Sequence, residues 1–489
     1  MPARARHARW REGRNRVSTA VDAAPRPAGG GGAIADYFKF GERGTDFITE
    51  ARGGLTTFMV MVYIVFVNAS ILGDGFGLAP TDPGRIALSA GTALIAGIMT
   101  IAMGVVGNYP FALAAGLGIN AIVAFGLTFG RGLTPAGAMG VIVLEGLAVT
   151  VLVLIGLREA VMNAIPLALK RAIGAGIGLF ILFIGFANGG LIQTGCAPGS
   201  EAAKTCIGTL VTYHLPETTG QFVFLFGLAL TVVLWARRIK AALVISILVT
   251  TIVALVGGVT SIPANISWAP SFSTIGAFDI GNVFTTLPLL TAILVIFAIM
   301  LTDFFDTMGT VTGVAAEAGL AREDGSVPGV GRVLLVDSIA AGVGGLAGVS
   351  SNTTYIESAA GVADGARTGF ASVVTGVLFL LAIFLAPLAG IIPGVATAPA
   401  LVLVGYLMFT QVRDIKVGDV EDGIPALLTM ILMPLTYDIS VGIGAGFISW
   451  VLIKVARGKV SEVHPLMWVV SVAFALFFLQ NWLNAYLPK

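Results

Sequence analysis

Phe297-Ala298-Ile299-Met300-Leu301-Thr302-Asp303-Phe304-Phe305-Asp306-Thr307-Met308-Gly309 is apolar enough for a bilayer, yet it carries two carboxylates. A second polar patch follows at Ser350-Ser351-Asn352-Thr353-Thr354-Tyr355-Ile356-Glu357-Ser358. Ionisable groups are rare in membrane-buried sequence, and where they occur they line a pathway or a site. Asp303, Asp306 and Glu357 are therefore the candidate functional carboxylates.

Around this stretch the chain is of one kind. Of its 489 residues 56% are hydrophobic and only 11% charged, with mean hydropathy +0.93. A soluble globular chain carries about 25% charged residues. Apolar stretches of about 20 residues, each long enough to cross a bilayer, recur from Leu55 onward. The chain thus reads as an all-α polytopic membrane protein. Candidate spans are 55–72, 86–106, 110–127, 135–157, 172–188, 221–236, 241–262, 287–316, 333–348, a short one near 353–362, 368–391, 397–412, 423–435 and 439–455, fourteen in all. A further apolar stretch, 465–487, reads as either a fifteenth span or an interfacial helix. The 64 glycines suit close helix packing and broken helices. A net charge of +1 gives no sign of a nucleic-acid partner. Three histidines and two cysteines are too few and too scattered for a metal framework.

Lys and Arg mark cytoplasmic loops. With the N-terminus inside, Arg158, Lys170, Arg171, Arg237, Arg238, Lys240, Arg322, Arg332, Arg367, Arg413, Lys416, Lys454, Arg457 and Lys459 all fall inside. Outer loops keep only Arg85, Arg131 and Lys204. Residues 1–50 differ from the rest: arginines from Arg4 to Arg16 precede a Pro/Gly/Ala tract ending at Gly32. Without an apolar core this is no signal peptide. It reads as a disordered cytosolic tail or as a basic arm for anionic lipid. Cys196 and Cys206 share the loop 189–220, which falls outside. A disulfide there and two free thiols are both open.

The third span opens Asn108-Tyr109-Pro110-Phe111 and runs through Gly116-Leu117-Gly118-Ile119-Asn120, while the tenth is short and polar at its start. Interrupted segments at matching places in two halves point to a transporter site. Sliding the chain by about 238 residues sets Asn68 on Asp306 and the third span on 345–360. Seven spans per half is an odd number, so the halves have opposite topology: two inverted repeats.

Asp303 and Asp306 are one helical turn apart, and Gly309 leaves the next turn bare. A carboxylate at membrane depth is desolvated, which favours its protonated form. It can then bind and release a proton, and accept or donate hydrogen bonds to a ring. Glu357 offers a second such group, and Asn120 an amide with donor and acceptor. This set matches a flat heteroaromatic ring with alternating donors and acceptors. Phe304 and Phe305 shield Asp303, which suits proton coupling better than ligand contact. Blander roles compete: a helix-to-helix hydrogen bond for a lone Asp, packing for Asn120, and a helix N-cap for Asn352, Thr353 and Thr354. Asp364, Arg367, Glu317 and Arg322 lie at span ends and read as solvated; His214 and His464 have no catalytic role.

The strings Gly116–Asn120, Asp303–Thr310 and Asn352–Ser358 resemble the signatures of AzgA-like purine permeases, the hypoxanthine/adenine/guanine branch of the nucleobase–cation symporter-2 superfamily. The resemblance covers about residues 38–465, in the right order and spans. It implies fourteen spans in two inverted repeats, with short strands in the third and tenth. It also implies a core domain (51–158 and 285–392) and a gate domain (159–284 and 393–460), leaving 461–489 as a C-terminal apolar segment. The substrate is expected beside Asp306, Glu357, Asn120, Tyr355 and Ile356, with Asp303 and Glu357 coupling to protons and no other cofactor. In related uracil permeases a Glu is followed by Gly three residues on, a spacing that Asp306 and Gly309 match. The His that follows that Glu by four residues is Thr310 here, which speaks against uracil. The resemblance implies proton-coupled uptake of a purine nucleobase at the cell membrane, and allows a homodimer through the gate domain.

Other readings fare worse. Tyr437-Asp438 offers half of an intramembrane aspartyl protease, but the partner Gly-x-Gly-Asp string is absent from the sequence. A passive channel has no need of broken helices in inverted halves. An anion carrier of the same fold would keep its half-helix N-termini free of carboxylates. A xanthine, urate or pyrimidine carrier is the runner-up.

Overall fold

The computed structural model describes residues 32–79, 81–156, 164–193, 212–213, 215–262, 269–322 and 326–486. Apolar runs become helices here, and polar residues between them supply the starts. Asp46 caps α1 (Phe47–Met61) by accepting from the Thr49 amide, and after a two-residue break α2 (Ile64–Gly75) continues the span. Asp82 and Thr134 cap α3 (Pro83–Ala102) and α5 (Pro135–Leu154), each with Pro as the first helical residue. Proline lacks only an N–H that the first turn leaves unpaired anyway. Between them, β1 (Leu113–Ala115) leads into the short α4 (Leu117–Ala121), which widens into a π-helical turn over Ile122–Phe129.

There follow α6 (Leu167–Asn188), a two-residue ribbon of β2 (Ile192–Gln193) and β3 (Thr212–Tyr213), α7 (Thr219–Ala236), α8 (Ala242–Val256) and the short α9 (Ile280–Thr286). The second half holds α10 (Leu289–Glu317), α11 (Val330–Leu346), β4 (Asn352–Thr354), α12 (Ser358–Ala363), α13 (Gly369–Ala382), α14 (Gly394–Phe409), α15 (Val420–Thr436), α16 (Ile439–Ala456) and α17 (Pro465–Tyr486). Among the described residues, nine helical stretches are long and apolar enough to cross a membrane. The remaining predicted spans are shorter: α8 has 15 residues, α11 and α15 have 17 each, and the third and tenth are broken.

The breaks meet. β1 pairs antiparallel with β4, Leu113 opposite Thr354 and Ala115 opposite Asn352. The ribbon continues past its strands through Gly116 N–H to the Ser351 carbonyl and Tyr355 N–H to the Ala112 carbonyl, both 2.9 Å. Thr100 of α3 satisfies the free edge, donating to the Leu113 carbonyl (3.0 Å) and accepting from its amide (2.9 Å). Extended backbone survives at membrane depth only where protein buries it and pairs its polar groups. Asn352, Thr353 and Thr354 are therefore strand residues, not a helix N-cap.

Helix pairs pack α3 on α13, α5 on α11, α6 on α14 and on α15, α7 on α8 and on α14, and α15 on α16. Glycine lets α6 and α14 touch backbone to backbone: a Cβ on Gly178 would lie 2.7 Å from the Gly405 carbonyl, and one on Gly405 2.6 Å from the Gly178 carbonyl.

Two expectations change. The N-terminal tail does not extend to residue 50. Ala33–Tyr37 and Phe40–Arg43 are helical, and Phe38 and Phe40 pack on Phe370 with ring centroids 5.6 and 5.8 Å away. Arg43 donates to the carbonyls of Asn108 (2.6 Å) and Arg367 (2.7 Å), a tie between distant loops that local composition does not reveal. Asp364 and Arg367 are not simply solvated: Lys240 and Thr56 donate to Asp364 and hold its carboxyl below the usual range, and Arg367 donates to the Val362 and Ala366 carbonyls. Farther along the chain, Lys454, Lys459 and Arg457 donate to the Glu421 carboxylate. Residues 1–31, His214, Cys196 and Cys206 lie outside the described residues.

Candidate functional site

Asp306 of α10 and Glu357, just after the β1–β4 ribbon, lie on the wall of one cavity. Leu117 and Gly118 of α4, Tyr355, Ile356 and Val404 of α14 complete much of the rest. Two broken segments thus bring their ends to one long helix, with α14 facing them. Glu357 accepts a hydrogen bond from the Tyr63 hydroxyl at 2.8 Å. Tyr63 is fully buried at the break between α1 and α2. Tyr355 donates its hydroxyl to the Ala115 carbonyl, so its ring is fixed against the ribbon. One face of α10 beyond Asp306 is exposed and small: Gly309, Thr312, Gly313 and Ala316. A Cβ on Gly309 would meet nothing within 4 Å. The opposite end of α10 exposes Leu289 and Ile293 instead, as a lipid-facing surface would. The exposed small face thus runs from Gly309, next to the cavity-lining Thr310, toward the Glu317 end of α10.

The sequence-derived candidates divide into two sets. Asp306, Glu357, Tyr355 and Ile356 come together at the cavity. Asn120 and Asp303 do not line it; both are fully buried. Asn120 sits on α4 past Leu117 and Gly118, with neither amide atom hydrogen-bonded. Asp303 is one turn from Asp306, next to the fully buried Phe304, which packs with Met300 against Val149 of α5.

Three further residues escaped the sequence reading. Asp337 of α11 is fully buried and accepts from the Thr307 hydroxyl (2.7 Å), the Thr354 amide (3.0 Å) and the Thr354 hydroxyl (2.8 Å). Thr307 also bonds the Thr353 hydroxyl at 2.8 Å. This network joins α10, α11 and β4 directly behind the cavity. Glu145 of α5 is likewise fully buried. Both carboxylates stand inside apolar stretches, so the rule that singled out Asp303 would have found them. Tyr63 carried no such signal.

The permease-family profile, described as "Permease family", matches residues 49–445. The guanine/hypoxanthine permease PbuG of Bacillus subtilis is 40% identical over 453 residues, covering 91% of this chain and 99% of that protein. The adenine permease AdeQ of Escherichia coli is 38% identical over 451 residues, covering 91% and 96%. Among solved structures, the transmembrane domain of a cyanobacterial bicarbonate transporter, BicA, superimposes with TM-score 0.59 at 15% identity over 81% of this chain and 96% of that one. SLC26A9 gives TM-score 0.59 at 14% identity over 83% and 66%. At that identity the likeness concerns the fold alone.

Proposed function

The chain belongs to the nucleobase–cation symporter-2 permease family, a family of transporters rather than enzymes, and from that premise we propose that it takes up purine nucleobases with protons across the cell membrane. The observation that carries this reading is the pairing of Asp306 and Glu357 on one cavity wall. Two carboxylates can accept ring N–H groups, and each can bind a proton as it does so. Relatives named for guanine, hypoxanthine and adenine support the purine class. Uptake of labelled hypoxanthine, competed by adenine, guanine, xanthine and uracil, tests it. Competition by uracil or xanthine alone would move the substrate to the runner-up class.

The transport cycle we infer is alternating access by about fourteen crossings in two inverted repeats, with the N-terminus inside. The helix contacts support the repeat. Exchanging the halves, which sends α3 to α11 and α13 to α5, turns the α3–α13 pair into α11–α5, and both pairs exist. The same exchange relates α7–α14 to α15–α6 and α7–α8 to α15–α16. Spans one to four and eight to eleven form the core, the others the gate. With Arg322 and Arg332 read as inside, the small exposed face of α10 supports reading the arrangement as inward-open.

The bicarbonate-transporter likeness raises a second reading, an anion carrier. A carboxylate at the start of a half-helix repels an anion, so Glu357 at the start of α12, with Asp306 of α10 on the same cavity wall, weighs against it. Asp303 stands apart from the cavity and suits coupling. Asp303→Asn is expected to keep equilibrium purine binding but lose proton-driven accumulation. Loss of binding in the folded variant would move Asp303 into the ligand shell; accumulation with an unchanged response to external pH would remove it from both roles.

A further inference from the structure

We propose that Arg131, Asp438 and Phe477 form a latch that closes the outer end of the core–gate interface and opens once in each transport cycle. The proposal rests on the alternating-access reading above. Its basis is a contrast between the two ends of the molecule. At the inner end, the ion pair between Lys240 of the gate and Asp364 of the core is exposed on its cation side, the two side chains being 55% and 22% accessible. Exposed pairs contribute little, and the small face of α10 lies open nearby.

The outer end is built differently. Arg131, in the loop between α4 and α5, donates to Asp438 at 2.5 Å, and the two side chains are 13% and 23% accessible. Phe477 of α17 lies 5.5 Å beneath the guanidinium, covering it with an aromatic face. A guanidinium over a ring gains further attraction once water is excluded. Shielded from water, this attraction is screened less than that of an exposed pair, and the ring adds to it, so the contact resists opening more than the inner one does. Next to it, Tyr437 holds a left-handed backbone (φ 54°), uncommon for a bulky residue. Its ring packs on Phe125 of the core (6.5 Å between centroids) and Phe180 of the gate (5.5 Å). Across the interface, Thr397 bonds Ser70 at 3.0 Å and Asn188 bonds Asp74 at 3.4 Å.

α17 reaches this end by running antiparallel to α16. Phe474 meets Phe447 at 6.2 Å, and a Cβ on Gly444 would touch the Phe474 ring at 2.6 Å. Its outward side carries Val469, Val472, Leu476 and Leu479, a helical stripe of large apolar residues suited to lipid. On this proposal the stretch left open between a span and an interfacial helix crosses the membrane and delivers Phe477 to Arg131.

Leu127, 1% accessible and on the turn leading to Arg131, serves as the reporter. Leu127→Cys is made in the full chain with Cys196→Ser and Cys206→Ser, and a bulky, membrane-impermeant maleimide is added from outside. Asp438 also caps α16 through the Ser440 amide. Asn caps equally well, so Asp438→Asn removes the charge and keeps the helix start. Asp438→Asn and Arg131→Gln are each expected to raise the labelling rate about tenfold or more, as loss of a charged hydrogen bond implies. The double variant is expected to be no faster than the quicker single. Equal rates in all four proteins overturn the latch. Should Leu127→Cys not fold, hydrogen exchange of the segment 117–134 in Asp438→Asn alone replaces it: faster exchange than wild type is expected, and unchanged exchange overturns the proposal. Neither readout requires transport. Absence of purine uptake with these shifts intact would sink the substrate reading and leave the latch standing.

Discussion

Glu357→Gln is expected to abolish the proposed purine accumulation while the protein remains in the membrane at its normal level. The side chain keeps its volume, and its amide oxygen can still accept from the Tyr63 hydroxyl now 2.8 Å from the carboxylate. The fold has no reason to change. What disappears is the charge-assisted acceptor, roughly twice as strong as a neutral one, together with a site that can hold a proton. The transport efficiency is expected to fall by about two orders of magnitude. Asp306→Asn, on the same cavity wall, is expected to behave alike. Initial rates of labelled hypoxanthine uptake, normalised to immunoblotted membrane protein, decide it. Near-normal uptake in either variant removes that residue from the site.

Asp337→Leu is expected to be the most damaging single change behind the site. Its carboxylate accepts from the Thr307 hydroxyl and from both the amide and hydroxyl of Thr354. A leucine there removes the acceptor of both Thr354 donors, at about 1–3 kcal/mol each, and leaves the Thr307 hydroxyl only Thr353 as a partner. The β1–β4 ribbon loses its anchor to α11, and Tyr355 and Glu357 follow directly on that strand. A melting temperature lowered by several degrees and loss of purine binding in detergent are expected. Asp337→Asn, which keeps one acceptor oxygen for Thr354, is expected to recover much of the melting temperature. A leucine variant that melts with wild type would show that the network does not support the ribbon.

These expectations differ in where they became visible. A carboxylate inside an apolar run is costly wherever the chain folds, so Asp303, Asp306 and Glu357 stood out from sequence alone. The same rule applied to Glu145 and Asp337 but was read only where acidic residues clustered. Helix starts were local as well: Asp46, Asp82, Thr134 and Asp438 each cap a helix within three residues. The interrupted third and tenth segments announced themselves by glycine and short polar runs, and they proved to be the two strands of the ribbon.

What the sequence by itself determined, then, is the membrane class, the places where helices begin and break, and which acidic side chains must be given a purpose. All of these follow from free energies set within one or two turns of chain. The tertiary structure alone decided which of those groups share a cavity. Asp303 and Asp306 are one turn apart, yet only Asp306 reaches the cavity wall, because helix packing buries one and opens the other. Asn120, in a matching motif, stays behind the wall for the same reason. Tyr63 meets Glu357 across 294 residues, and Arg131 meets Asp438 across 307. Such pairings are fixed by how whole helices pack, and no local preference of the chain encodes them.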